Sequence, residues 1–247
     1  GDGTVNEAAG VLAGTPIPLL PMAGGSTNVF SRAMGWPHPA GSAVPLIGPA
    51  LEQHHVRSVR LGEVTVDGRS RTFCVNAGAG IDANTVQRVE ASRWLKPVLR
   101  QLGFGLVSVA ESVRSVRREP CITLVADDGD PHLVASAIVA TGSPYAFFGP
   151  TPLDLTPGAA FDGRLRWLGI AHTGPRDLGR VLAGGLRSAS HIGREGIFDG
   201  WALREVRLSA DRPIAVQADG EPLGRHREAV MRPGPELQVL VPPPAVD

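Results

Sequence analysis

The chain has 247 residues, 43% of them hydrophobic and 19% charged, which supplies core for one large domain or two small ones and excludes a disordered chain or a long repeat array. Lys plus Arg and Asp plus Glu cancel at 24 each, removing the simplest case for a nucleic-acid partner. Glycine (31) and proline (22) are frequent enough to demand many turns and to argue against a bundle of long helices.

In chain order, residues 1–4 (GDGT) read as a turn that feeds a helix over 5–12. Thr4 and Glu7 have the spacing of a capping box. Residues 16–21 read as a short apolar strand, followed by a glycine-rich loop at 24–28 and a second helix to about Met34, with Gly35 as its stop. Two glycine-rich loops each opening a helix, with a strand between, suggest an α/β unit with a parallel sheet. From residue 56 the texture becomes alternating. Strands are expected at 56–61, 63–66 and 71–76, with Asp67-Gly68 as a hairpin turn. An amphipathic helical stretch is expected over 83–117. Strands return at 121–126, 132–140, 164–170, 204–209, 213–218 and 236–241, with a turn at 127–130. The expected fold is therefore α/β plus β: residues 1–55 as an α/β unit, and 56–247 as an antiparallel, sandwich-like β region with one helical insertion, its last strand returning toward the first unit.

Cys74 and Cys121 lie in apolar runs and read as inert core thiols, and two cysteines with scattered histidines make no metal knuckle. The long uncharged stretches, 8–31 and 131–153, are broken by proline and glycine and cannot cross a bilayer as ordinary helices. The chain opens on Gly1 rather than Met and shows no signal peptide, so it is read as cytoplasmic and cut at its front.

A glycine turn opening a helix presents free N–H groups and the positive end of the helix dipole, a phosphate-binding arrangement. Residues 1–7 and 24–28 both have this form. Gly78 through Ala83 formally match a dinucleotide fingerprint, but residues 91–110 hold no Asp or Glu where the ribose-binding acid belongs, so that reading is set aside. Asp162-Gly163 and Asp219-Gly220-Glu221 lie among strands, where Asp-Gly taken singly is a turn.

The full ordered set GDGTVNE, GGSTNVF, NAGAGIDA, FDGRL and ADGE resembles the diacylglycerol kinase-like lipid kinases, a bacterial family related to sphingosine kinases, over essentially the whole chain. The resemblance implies ATP and lipid meeting in a cleft between an α/β and a β-rich domain. It implies ATP contacts from Gly1, Asp2, Gly3, Thr4, Val5, Asn6 and Glu7, and from the Ser26 hydroxyl. It implies Mg²⁺ at the Asp162 side chain with main-chain groups of Ala159 and Arg164. It further implies Glu221 as proton acceptor, with Asp219 as a second candidate, in an enzyme moving the γ-phosphate of ATP to a hydroxyl of diacylglycerol or a similar lipid. Val29 departs from the family, which often has Asp there, and the family has strands and helices before GDGT. Phosphoryl transfer needs loop amides, a metal and a carboxylate, and these residue types supply them.

Between residues 85 and 119 seven Lys or Arg stand against three Glu, an excess that suits anionic lipid at the inner membrane face and equally suits a plain solvated helix face. A homodimer is a further expectation. Two rival readings are an NAD kinase-like enzyme, which shares a GDG loop, and a degenerate lipid-binding module without catalysis.

Overall fold

The computed structural model describes residues 1–25, 27–80 and 121–244. The helical stretch expected over 83–117, with its basic excess, lies outside the described residues.

Three helices form the front of the chain: α1 (Asp2–Leu12), α2 (Val29–Ala33) and α3 (Val44–Glu52), with a 3₁₀ turn at Ala40–Ser42. The capping box does not form. Helix α1 begins at Asp2 with Gly1 as its cap, which places Thr4 inside the first turn, where its hydroxyl has no cap to make. The strand expected over 16–21 reduces to a single parallel bridge, Leu19 to Val239, because three prolines in six residues remove the amide donors a ladder needs.

The rest is built on strands β1 (Val56–Val66), β2 (Arg69–Phe73), β3 (Asn76–Ala79), β4 (Ile122–Ala126), β5 (His132–Val134), β6 (Ser136–Ala140), β7 (Ala146–Phe148), β8 (Thr151–Leu153), β9 (Leu165–Ile170), β10 (Ile197–Ala202), β11 (Val206–Ala218) and β12 (Glu221–Leu240). Helix α4 (Pro175–Arg187) packs against β8. The named strand pairs are all antiparallel, in the order β10-β9-β6-β3-β11-β12-β1-β2, with β4 and β5 branching from β11 and a separate β7–β8 hairpin. Strand β11 changes partner at its irregularity between Ser209 and Ile214: its first half pairs with β4 and its second with β3. That change of partner folds the sheet over into a sandwich.

The β1–β12 ladder lies between two cores. Val59 and Leu61 of β1 face the core under the front helices, with Phe30, Met34 and Trp36. Val64, of opposite parity, faces the sandwich core with Phe73, Leu124 and Leu208. Strand β12 makes the same exchange through a bulge opposite Arg60 and Gly62, sending Met231 to the sandwich core and Leu237 and Val239 to the other. The far end of β12 is fastened to the front segment by Leu19 N to Gln238 O (2.8 Å), Leu240 N to Leu19 O (2.9 Å) and Trp36 Nε1 to Leu240 O (2.8 Å).

Candidate active site

The amino end of α1 carries Gly1 as cap, with no side chain bonded to it, so its first-turn N–H groups keep the unpaired direction that suits an anion. The carboxylate of Asp2 turns toward the second loop. Burial pushes its pKa up, while the N–H groups of Phe30, Val29 and Asn28 at the start of α2 act in the opposite sense. That second loop is closed by Asn28, whose amide accepts from Gly25 N and donates to Gly25 O, both at 2.7 Å. The two loops touch: a Cβ on Gly25 would come within 2.8 Å of Gly1 Cα, so only glycine fits there. Asn28 itself has φ 50°, a left-handed conformation that asparagine tolerates. Ser26 lies outside the described residues.

Asp219 and Gly220 form the tight β11–β12 turn, with φ of 47° and 80°. Each Asp219 oxygen is approached by two donors. Oδ1 accepts from Val75 N (2.8 Å) and Asn76 N (3.0 Å). Oδ2 accepts from Cys74 N and from Asn6 Nδ2, the latter at 2.7 Å. Burial pushes the Asp219 carboxyl above its usual range, and these same donors pull against that rise. The turn is fastened further by Asp219 N to Asn76 O (2.8 Å) and Gly220 N to Gln217 Oε1 (2.9 Å). The buried Gln217 also donates to Asn76 Oδ1 at 3.2 Å.

Glu221, two residues on, is only half-buried and faces α1. Its Oε1 stands 3.0 Å from where a Cβ on Gly3 would be, and its Oε2 is ion-paired with Arg71 of β2. A carboxylate, a guanidinium and an open helix terminus therefore meet at one point.

The Asp162-Gly163 turn lies elsewhere on the surface. Phe161 seats it, stacking edge-on against Phe30 (5.8 Å, 87°) and covering Gly142, where any Cβ would overlap its ring. The Asp162 carboxylate accepts from Arg164 N (3.0 Å), Nε (2.9 Å) and Nη2 (2.6 Å), and the Arg164 guanidinium holds its pKa below the usual range. Ala159 is buried beside it and Arg164 is exposed. Among the described residues Asp162 shares no hydrogen bond or ion pair with Asp219 or Glu221, and no group of three or more His, Cys, Asp or Glu gathers around a point.

The structure thus brings Gly1, Asp2, Gly3 and Asn6 together with Asp219 and Glu221, while Val5 is buried in the front core and Thr4 and Glu7 face solvent. Sequence reasoning missed Arg71, Asn76 and Gln217. The available signal was polar side chains at buried strand positions, Asn76 opening NAGAG and Gln217 just before Ala-Asp-Gly.

Residues 74–241 match the YegS C-terminal NAD kinase beta sandwich-like domain, and residues 1–64 match the diacylglycerol kinase catalytic domain. The chain belongs to the diacylglycerol kinase-like lipid kinase family. The solved structure of a diacylglycerol kinase from Bacillus anthracis str. Sterne aligns with it at a TM-score of 0.63 and 19% identity, over 100% of this chain and 75% of that one. A provisionally assigned diacylglycerol kinase from the same organism aligns at a TM-score of 0.71 and 21% identity, over 100% and 76%. At these identities the likeness establishes the fold, a two-domain arrangement, mostly antiparallel sheet with few helices, that ends in a β sandwich. No match is found among curated proteins. No helix among the described residues is long and apolar enough to cross a membrane.

Proposed function

We propose that this member of the kinase family transfers the γ-phosphate of ATP to a hydroxyl of diacylglycerol or a similar lipid presented at the cytoplasmic membrane surface. The observation that carries the reading is the meeting of Glu221, Arg71 and the first turn of α1. The free amides of that turn, with the Gly25 loop beside it and the Ser26 hydroxyl, bind the nucleotide phosphates. Glu221 accepts the proton of the attacking hydroxyl at its carboxylate, and Arg71 beside it offsets negative charge gathering at the phosphoryl group.

Magnesium belongs at Asp162. The fit there is of donor type: an ionised carboxylate with main-chain oxygens of Ala159 and Arg164 nearby is a hard, oxygen-only set, already partnered by a cation, the Arg164 guanidinium. Arg164 has a half-exposed side chain that also lies over the Trp201 ring, 4.6 Å from its centroid, so a metal at Asp162 would have to displace the guanidinium from the carboxylate. When bound, Mg²⁺ would supply a positive charge at this turn, away from the phosphates held at the first turn of α1.

Incubating the full chain with labelled ATP and Mg²⁺, against diacylglycerol in mixed micelles and against NAD, tests the reading. Label in the lipid supports it. Label in NAD moves the chain to the NAD kinase-like alternative, and lipid binding without transfer to the non-catalytic one.

A further inference from the structure

We propose that Asp219 is a positioning residue and not a proton acceptor: its carboxylate is the clasp that seats the amino end of α1 and thereby aims Glu221. This rests on the reading that α1 holds the nucleotide and that Glu221 takes the proton. An ionised carboxylate has about four lone-pair positions, two on each oxygen. Here all four are taken, by Val75 N and Asn76 N on Oδ1 and by Cys74 N and Asn6 Nδ2 on Oδ2. No position is left for a substrate hydroxyl. Burial does raise the basicity of this group, but a base must also reach the proton, and geometry decides first.

What the clasp joins gives it its function. Three of its donors are successive main-chain amides at the β2–β3 junction, and the fourth is the side chain of Asn6 on α1. Asn6 and Gly3 stand three residues apart and so share one face of the helix. Asp219 grips that face at Asn6, and Glu221, from the same turn, lies over it at Gly3. Fixing the first contact sets the second, so the distance between the phosphate-binding amides and the carboxylate is determined by a buried bond outside the reacting groups.

The test uses Asp219→Asn, Asn6→Ala, their double variant and Glu221→Gln in the full chain. Three readouts are taken: affinity for a non-hydrolysable ATP analogue with Mg²⁺, kcat and KM for lipid phosphorylation, and hydrogen exchange in α1 and in residues 74–76. Asp219→Asn keeps the shape but turns an NH₂ toward two donors. The clasp predicts that Asp219→Asn and Asn6→Ala each weaken nucleotide binding and raise the KM for ATP by about tenfold, losing less in kcat, and that the double variant is little worse than either. Both also speed exchange in α1 and in residues 74–76 together. Glu221→Gln should instead lower kcat and leave affinity and exchange unchanged. An Asp219→Asn variant that loses about a hundredfold or more in kcat, with affinity and exchange as in the wild type, would make Asp219 the proton acceptor and overturn the proposal. If the wild type transfers no phosphate, the proposed function fails by itself. The clasp then stands or falls on whether Asn6→Ala and Asp219→Asn loosen the same two segments.

Discussion

Within the β11–β12 hairpin, Asp219 and Glu221 lie two positions apart and meet opposite surroundings. One is enclosed by donors, while the other is open on the side of α1 and held by a single guanidinium. Glu221→Gln is nearly isosteric and removes only the acceptor charge, so the fold should persist while kcat falls by about 10² to 10⁴. A variant within threefold of wild type would show that the proton goes elsewhere. Asp162 is argued from a different balance. Arg164 keeps its carboxyl low, so the carboxylate is present throughout the neutral range and a metal need not compete with protons there. Asp162→Ala should raise the magnesium concentration for half-maximal activity, and an unchanged metal titration would leave the residue as a turn former.

At the scale of elements, what could be read was whatever rests on local backbone chemistry. Asp67-Gly68 forms its hairpin because both residues adopt positive φ (46° and 74°), which this pair tolerates. Gly35 ends α2 at φ 87° for the same reason. What could not be read depends on distant partners. The apolar run 132–140 is two strands because Ala135 leaves the β4–β5 pairing to donate to Ile170 O at 2.8 Å, a bond no local pattern announces. Helix α4 is masked in sequence by Pro175 and by Gly184 and Gly185, although a Cβ on Gly184 would come within 2.6 Å of His191 N and one on Gly185 within 2.8 Å of Leu153. Helix α3 and the first half of β12 were hidden in the same way, by prolines and charged residues, and strand β10 by its Asp199-Gly200 pair, which taken alone reads as a turn. The 127–130 turn was expected, but its reach was not: Asp127 accepts from Leu203 N (2.9 Å), Arg204 N (2.8 Å) and Glu205 N (2.9 Å), binding the β4–β5 hairpin to the start of β11. Burial raises its pKa, while these three amides and the charge of Arg204 lower it, and the net result lies below the usual carboxylate range. A lowered native pKa means that the stabilisation is present above the ordinary Asp range and fades as pH falls through the native value. Asp127→Ala should therefore cost about 1 to 3 kcal/mol at neutral pH, less in acid, with phosphoryl transfer unaffected. Urea titrations at the two pH values check it. A penalty that does not shrink in acid would rule out the charged bonds as its source.

For the whole molecule, the order of the motifs was the most legible feature, because five short segments spread over the chain converge on one family. The meeting of GDGTVNE with the Asp219-Gly220-Glu221 turn was not legible, since it requires the β1–β12 ladder, with Val59 and Leu61 on one core and Val64 on the other. Neither core can lose its packing without taking a wall from its neighbour. Heating should accordingly give one calorimetric transition, its van't Hoff and calorimetric enthalpies equal. Two resolved peaks would mean that the ladder holds when one side has melted.

The bond from Asn6 to Asp219 spans 213 positions of sequence. Contacts of such separation are the last to become worth their loop entropy, so topologies rich in them fold slowly. A ribosome releases the GDGTVNE helix long before it releases the turn that will grip it. Until then α1 has its amides but no partner to fix their direction. The folding chain can acquire its β hairpins early, while competence to hold a nucleotide in register with Glu221 arrives only as the chain closes on itself.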